Sequence, residues 1–164
     1  MPRRLIFKLI LLFFGLLLVP VASADFSGRV VGVTDGDTIK VMHKGKEEKI
    51  RLYGIDCPEK GQPYGTKAKQ FTSEKVFGKT VVVYVRGFDK YGRTIGDVIL
   101  PGRRVLNQEL VAAGLAWWYK KYAPRDDTLR VLEEQARTKK LGLWADPHPV
   151  PPWSWRKQKK GRMC

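Results

Sequence analysis

Cysteine and histidine are the scarce residues of this 164-residue chain, two of each, and their scarcity removes several classes of protein. Cys57 and Cys164 are too few to staple a disulfide scaffold, and neither has a Cys or His at the close spacing of a zinc site. His43 and His148 stand far apart without motif context, which argues against paired-histidine hydrolysis. A membrane-spanning run is missing too: the apolar stretch over residues 9–19 has eleven residues, against the roughly 20 that a span requires. Acid is in short supply, with 16 Asp and Glu against 31 Lys and Arg and a formal net charge of +15. No internal repeat is found.

What is present begins with a leader. Arg3, Arg4 and Lys8 precede or flank the apolar stretch, and Ala-Ser-Ala at 22–24 follows it. This is the pattern of a secretory signal peptide cleaved after Ala24, with an uncleaved anchor as the alternative that the small residues disfavour. Three units result: 1–24 as leader, 25–146 as one domain with one core, and 147–164 as a Pro/Trp-rich basic tail. Cleavage takes the formal charge from +15 to +12, because the leader holds three basic and no acidic residues. Such an excess fits a polyanionic partner, whether nucleic acid, an anionic membrane surface or an acidic polysaccharide, and charge alone does not choose among them.

Residues 26–53 alternate at period two through Val31 and Val33, Ile39 and Val41, and Ile50 and Leu52, with turn signals at 34–37 and 43–48. The pattern predicts three short strands, followed by a helix over about 66–77. Two more strands are expected at 80–85 and 94–100, then a helix over about 105–113 and a last one from Asp126 or Asp127 to Gly142. Five strands interrupted and followed by helices suggest a small closed barrel of the α+β class. Beyond Pro147 the frequent prolines and crowded basic residues suggest a mobile tail that either adds affinity for a polyanion or has no task.

Three polar segments stand out: "VTDGDT" at 33–38, "RLYGIDCPE" at 51–59 and "DKYGR" at 89–93. Singly each is an ordinary turn or loop. Together they hold what phosphodiester hydrolysis needs: hard oxygen ligands in Asp37 and Asp56, forked cations in Arg51 and Arg93, and in Glu59 a carboxylate placed to orient or deprotonate water. Without a nearby His or Cys partner the aspartates suit Ca²⁺ or Mg²⁺ rather than zinc. Cys57, between two acids, is a poor nucleophile and a soft mismatch for such an ion; a bond to Cys164 would be incidental to folding.

In this order, "VTDGDTIKV", "RLYGIDCPE", "DKYGR" and "LNQELVAAGLA" resemble the thermonuclease family typified by staphylococcal nuclease, over about residues 26–144. The resemblance implies a five-stranded OB-fold β-barrel with three α-helices. It also implies Ca²⁺-dependent hydrolysis of DNA and RNA with low sequence specificity, leaving 3′-phosphate ends. Asp37, Asp56 and the backbone carbonyl of Cys57 then match the metal ligands, and Arg51 and Arg93 the transition-state arginines. Glu59 matches the residue usually called the general base, with its role as base or as positioner of water and metal left open. Lys90 and Tyr91 match residues that hold a terminal phosphate, and Tyr122 aligns with a second tyrosine of that pocket better than Tyr119. The segments before the first helix and before "DKYGR" are shorter than in staphylococcal nuclease, which bears on substrate grip. Trp117 and Trp118 are candidates for stacking on bases, with at least one expected in the core.

The expectation is therefore a secreted or periplasmic nuclease, monomeric and without stable membrane insertion. The rivals are a non-catalytic OB-fold nucleic-acid-binding protein of the cell envelope and an envelope-attached basic protein. The set Asp37, Arg51, Asp56, Glu59 and Arg93 favours the enzyme, since a pure binder has no need of a buried water-activating carboxylate beside a metal site.

Overall fold

A computed structural model describes residues 24–161; the expected leader up to residue 23, and Arg162 and Cys164 of the tail, lie outside the described residues. Strand β1 (Phe26–Asp35) turns through Gly36-Asp37 into β2 (Thr38–His43), which turns into β3 (Lys46–Leu52). At the second turn Lys44 and Gly45 both have positive φ, 48° and 75°, as a two-residue hairpin with right-handed strand twist requires. Strands β5 (Thr80–Phe88) and β6 (Thr94–Ile99) complete a closed barrel in the order β1-β2-β3-β6-β5. All its pairings are antiparallel except β3 with β6. This is the expected OB-fold barrel. A two-residue ladder not legible in the sequence, β4 (Ile55–Asp56) with β7 (Trp117–Trp118), lies outside the barrel.

Most period-two residues do what the alternation predicts, but Val31 is exposed and Val33 only half-buried: the β1–β2 register shifts between Val30 and Gly32, and Val30 takes the core face instead. Val30, Ile39, Val41, Ile50, Leu52, Val81, Val83 and Val98 are all buried in the main core, and each buried Val or Ile side chain contributes about 1.5–3 kcal/mol. Helix α1 (Gly65–Val76) buries Ala68, Thr72 and Val76, and α2 (Leu106–Ala112) buries Leu106, Leu110 and Val111. Asn107, also buried, ties α2 to the barrel: its Oδ1 accepts from Val98 N at 3.1 Å and its Nδ2 donates to Tyr53 O at 2.9 Å. Helix α3 (Asp127–Thr138) starts at Asp126, whose carboxylate accepts from Leu129 N at 2.9 Å as an N-cap.

Helix α3 ends earlier than the sequence pattern predicts. Lys140, with φ 53°, takes the left-handed position that usually falls to glycine, and Leu141 N reaches back to Ala136 O at 2.9 Å, closing a Schellman-type end before Gly142. A single 3-10 turn (Gly142–Ala145) follows.

Two expectations need correcting. The segment predicted as a mobile tail contains a fourth helix, α4 (Pro152–Gly161). Pro152 occupies its first turn, where a missing N–H costs nothing, and is itself buried. Trp153 stacks on Tyr119 with ring centroids 5.0 Å apart and planes 8° apart, and meets Trp117 edge-on at 5.6 Å. The second correction concerns the tryptophans: both Trp117 and Trp118 are buried, and Trp118 Nε1 donates to Ala123 O at 2.9 Å. Neither ring is free to stack on a base.

Candidate active site

The β1–β2 turn, the end of β3 and the segment after β4 meet over α1. Thr72 of α1 donates to Gly36 O at 2.6 Å, and the main chain of Asp37 accepts from Leu52 N at 2.9 Å. Gly36 packs so closely that a Cβ there would lie 2.8 Å from both Cys57 Sγ and Ala68 Cβ. The turn is thus pressed onto helix and strand, and the Asp37 carboxylate it carries is aimed inward. Residues 59–65 form a second tight structure: Glu59 N donates to Gln62 Oε1 and Gln62 N to Glu59 O, both at 2.9 Å. A Cβ on Gly65 would come within 2.2 Å of Glu59 O, so only glycine lets α1 begin that close to Glu59.

Arg51 sits at the centre. Its Nη1 lies 3.0 Å from Asp37 Oδ2, and its Nη2 donates to Asp56 Oδ1 at 2.9 Å. Burial opposes its charge, yet Asp37 and Asp56 outweigh that cost and hold its pKa above the ordinary arginine value. Asp56 is almost fully buried, and desolvation raises its pKa in spite of two arginine partners. The backbone N–H of Cys57 donates to Asp37 Oδ2 at 2.6 Å. Its thiol is buried and pushed well above its usual pKa, first by desolvation and then by Asp37, so the thiolate that nucleophilic chemistry needs is disfavoured.

The structure brings Asp37, Arg51, Asp56, Cys57 and Glu59 together. Glu59 is not buried: its side chain is 39% exposed, open to water. Arg93, half-buried just before β6, is turned elsewhere, its Nε donating to Asp89 Oδ2 at 2.6 Å. Lys90 and Tyr91 are exposed in the same turn, with Lys90 Nζ 5.1 Å from the Tyr91 ring centroid. Tyr122 is exposed, whereas Tyr119 is taken up by Trp153 and by Tyr122 itself, at 4.8 Å.

Two site residues escaped sequence reasoning. Asp35 lies beside Asp37, its Oδ1 accepting from Asp37 N at 3.3 Å, and burial followed by the Asp37 charge pushes its pKa up to about 7. The "DGD" spacing held that signal, since two carboxylates flanking one tight turn must share its mouth. Arg156 of α4 donates through Nη2 to Asp56 Oδ2 at 2.8 Å, through Nη1 to Asp56 Oδ1 at 3.3 Å, and through Nη1 to Glu59 Oε1. It stands one hundred residues from Asp56, and no local pattern marks it.

The donor set fits a hard divalent cation. Its oxygens come from Asp37 and Asp56, both buried and held on opposite nitrogens of Arg51. Among the described residues no cluster of three or more His, Cys, Asp or Glu side chains converges as a metal site. Backbone carbonyl and water would therefore have to complete any shell.

This barrel, with an Arg-bridged aspartate pair at the mouth of its first turn, defines an OB-fold domain carrying an acidic and arginine-rich site. A family model described as staphylococcal nuclease homologue matches residues 49–146, and the chain belongs to that family. It is 49% identical over 140 residues to a protein of Escherichia coli O157:H7 named "Uncharacterized endonuclease", covering 85% of this chain and 91% of that protein. It is 41% identical over 148 residues to the "Micrococcal nuclease" of Shigella flexneri, covering 85% of each. "Staphylococcal-like nuclease CAN1" of Arabidopsis thaliana is 43% identical over 116 residues, which is 71% of this chain and 35% of that protein.

Proposed function

We propose that this protein is an exported, Ca²⁺-dependent phosphodiesterase that hydrolyses DNA and RNA with low sequence specificity and leaves 3′-phosphate ends. The observation that carries the reading is the Arg51 bridge between Asp37 and Asp56, with the water-accessible Glu59 in the same ion-pair cluster through Arg156. Three kinds of group that phosphoryl transfer uses, hard-oxygen ligands, a guanidinium and a water-facing carboxylate, meet there from separate chain segments. The names carried by the relatives point the same way. Export rests on the leader pattern of residues 1–24, and among the described residues no helix is long and apolar enough to cross a membrane. A monomer is the expected form.

In this reading Asp37, Asp56 and the carbonyl of residue 57 would hold Ca²⁺, which supplies Lewis-acid charge to a phosphoryl oxygen. Arg51, locked by two carboxylates, presents a fixed cation whose cost of immobilisation is met on folding. Arg93 reaches the phosphate by exchanging its contact with Asp89. Glu59 orients a water molecule and takes its proton as the water oxygen bonds to phosphorus. The bond from phosphorus to the 5′-oxygen breaks, that oxygen is protonated from solvent, and phosphate stays on the 3′ side. Lys90, Tyr91 and Tyr122 offer a cation and hydroxyl donors to a terminal phosphate.

A metal-exchange assay on single- and double-stranded DNA and RNA tests catalysis and cofactor together. Chelation abolishes cleavage and Ca²⁺ restores it, while Glu59→Gln lowers turnover by about 10²–10⁴-fold with nucleotide binding retained. Full activity in excess chelator overturns the metal assignment, and parental turnover in Glu59→Gln overturns the role of that residue.

A further inference from the structure

The contact between Arg156 and the two site carboxylates is not used by the chemistry above. Its guanidinium forks onto Asp56 and also reaches Glu59, so one side chain engages both the carboxylate assigned to the cation and the carboxylate assigned to water. Asp56 is 1% exposed and Arg156 is 40% exposed, which places Arg156 on the open side, where solvent reaches the pocket. Burial opposes the arginine charge there, and the bonds to Asp56 and Glu59 outweigh it.

Its position is built. Four contacts seat the segment from 150 to 156: Gln62 Nε2 donates to Val150 O at 2.7 Å, Pro152 is buried, and Trp153 stacks on Tyr119 and abuts Trp117. Gln62 is the same residue that braces Glu59 through its N–H. The strap therefore grips the loop that holds Glu59. Beneath it remains a cavity of about 70 Å³, bordered by Pro58, Gln62, Trp117, Leu143 and Trp155. The seating is also incomplete, and the Arg156 side of the pair is open to solvent.

We propose that the C-terminal segment is a cation-displaced strap: in the metal-free protein Arg156 neutralises Asp56 and Glu59, and a divalent cation binds by driving that guanidinium off. This rests on the reading of Asp56 as a cation ligand. A guanidinium and a divalent cation cannot both take the Asp56 Oδ2 lone pairs that face the pocket. The strap also lies beyond residue 146, where the family match ends. Its effect is to keep Glu59 occupied until cation arrives, and to lower apparent cation affinity by the fraction of molecules in which the strap is closed.

Calorimetric titration of the full mature chain with CaCl₂, without substrate, tests this in the parent, Arg156→Gln and Trp153→Ala. Trp153→Ala leaves every site side chain in place and removes only the anchor. Both variants are expected to bind Ca²⁺ more tightly, by about 10-fold or more for Arg156→Gln, the ratio corresponding to a strap closed nine-tenths of the time or longer. In the parent, hydrogen exchange of residues 152–161 is expected to accelerate on saturation with Ca²⁺. Equal or weaker Ca²⁺ affinity in Arg156→Gln, with circular dichroism unchanged, overturns the strap and leaves the calcium reading intact. Absence of Ca²⁺ binding in all three proteins overturns both. Slower cleavage by Arg156→Gln at saturating Ca²⁺, with unchanged affinity, makes Arg156 a phosphate contact instead and also overturns the proposal.

Discussion

Cys57 shows how little a residue's type says about its part in a site. The main chain of Cys57 feeds the acidic cluster through its N–H, while the thiol points into packing against Gly36 and Ala68. Burial and the Asp37 charge keep the thiol protonated. Cys57→Ser should therefore keep the proposed calcium-dependent cleavage within a few-fold of the parent, while costing about 1–3 kcal/mol of stability because a hydroxyl is placed where no partner waits. Urea denaturation and a cleavage assay on the same preparation check both halves. A folded Cys57→Ser that is as inactive as Asp56→Ala would put the sulfur into the chemistry. The same contrast separates Asp37, whose place in the cluster was legible from its motif, from Asp35, whose involvement depends on how closely the turn brings the two carboxylates together.

At the level of elements, what was readable followed from periodicity. Ile39 and Val41, Ile50 and Leu52, and Val81 and Val83 announce strands with one buried face, and all six are buried. Asp126 announces a helix start. Where reading failed, the cause was tertiary. Prolines at 147, 149, 151 and 152 resemble a linker, yet Pro152 begins α4 and the helix is held by an aromatic stack whose partners lie more than 30 residues earlier. Trp117 and Trp118 looked available for bases until the β4–β7 ladder buried them. Asn107 is the same kind of case, a polar residue on the buried face of α2 that joins the strand pair to the chain around Tyr53. Asn107→Ala leaves Val98 N without its partner and should cost about 1–3 kcal/mol. A lowered urea midpoint with an unchanged m-value is the expected result, and a midpoint within error of the parent would show that water replaces the amide.

For the molecule as a whole, charge and fold divide the work. The carboxylates at the site are few and mostly paired with arginine, whereas the chain holds 31 basic against 16 acidic residues and the described Lys and Arg side chains are exposed or half-exposed. Polyanion binding should therefore be general, salt-dependent and separable from the chemistry. Helix α4 makes the separation testable, because Lys157, Lys159 and Lys160 are beside Arg156, are exposed or half-exposed, and make no ion pair among the described residues. Truncating the tail would be an ambiguous test, since it would also strip Trp153 from Tyr119 and Trp117 and free Asp56 from Arg156. Replacing the three lysines by glutamine keeps the helix and its anchor. Each lysine that meets a phosphate contributes about 0.9 to the slope of log affinity against log salt on duplex DNA, so the triple variant should show a slope shallower by up to about 2.7. Turnover on a dinucleotide-length substrate, too short to reach the helix, should change little. An unchanged slope on long duplex would mean that α4 serves the site through Arg156 alone and that the nucleic acid crosses another face.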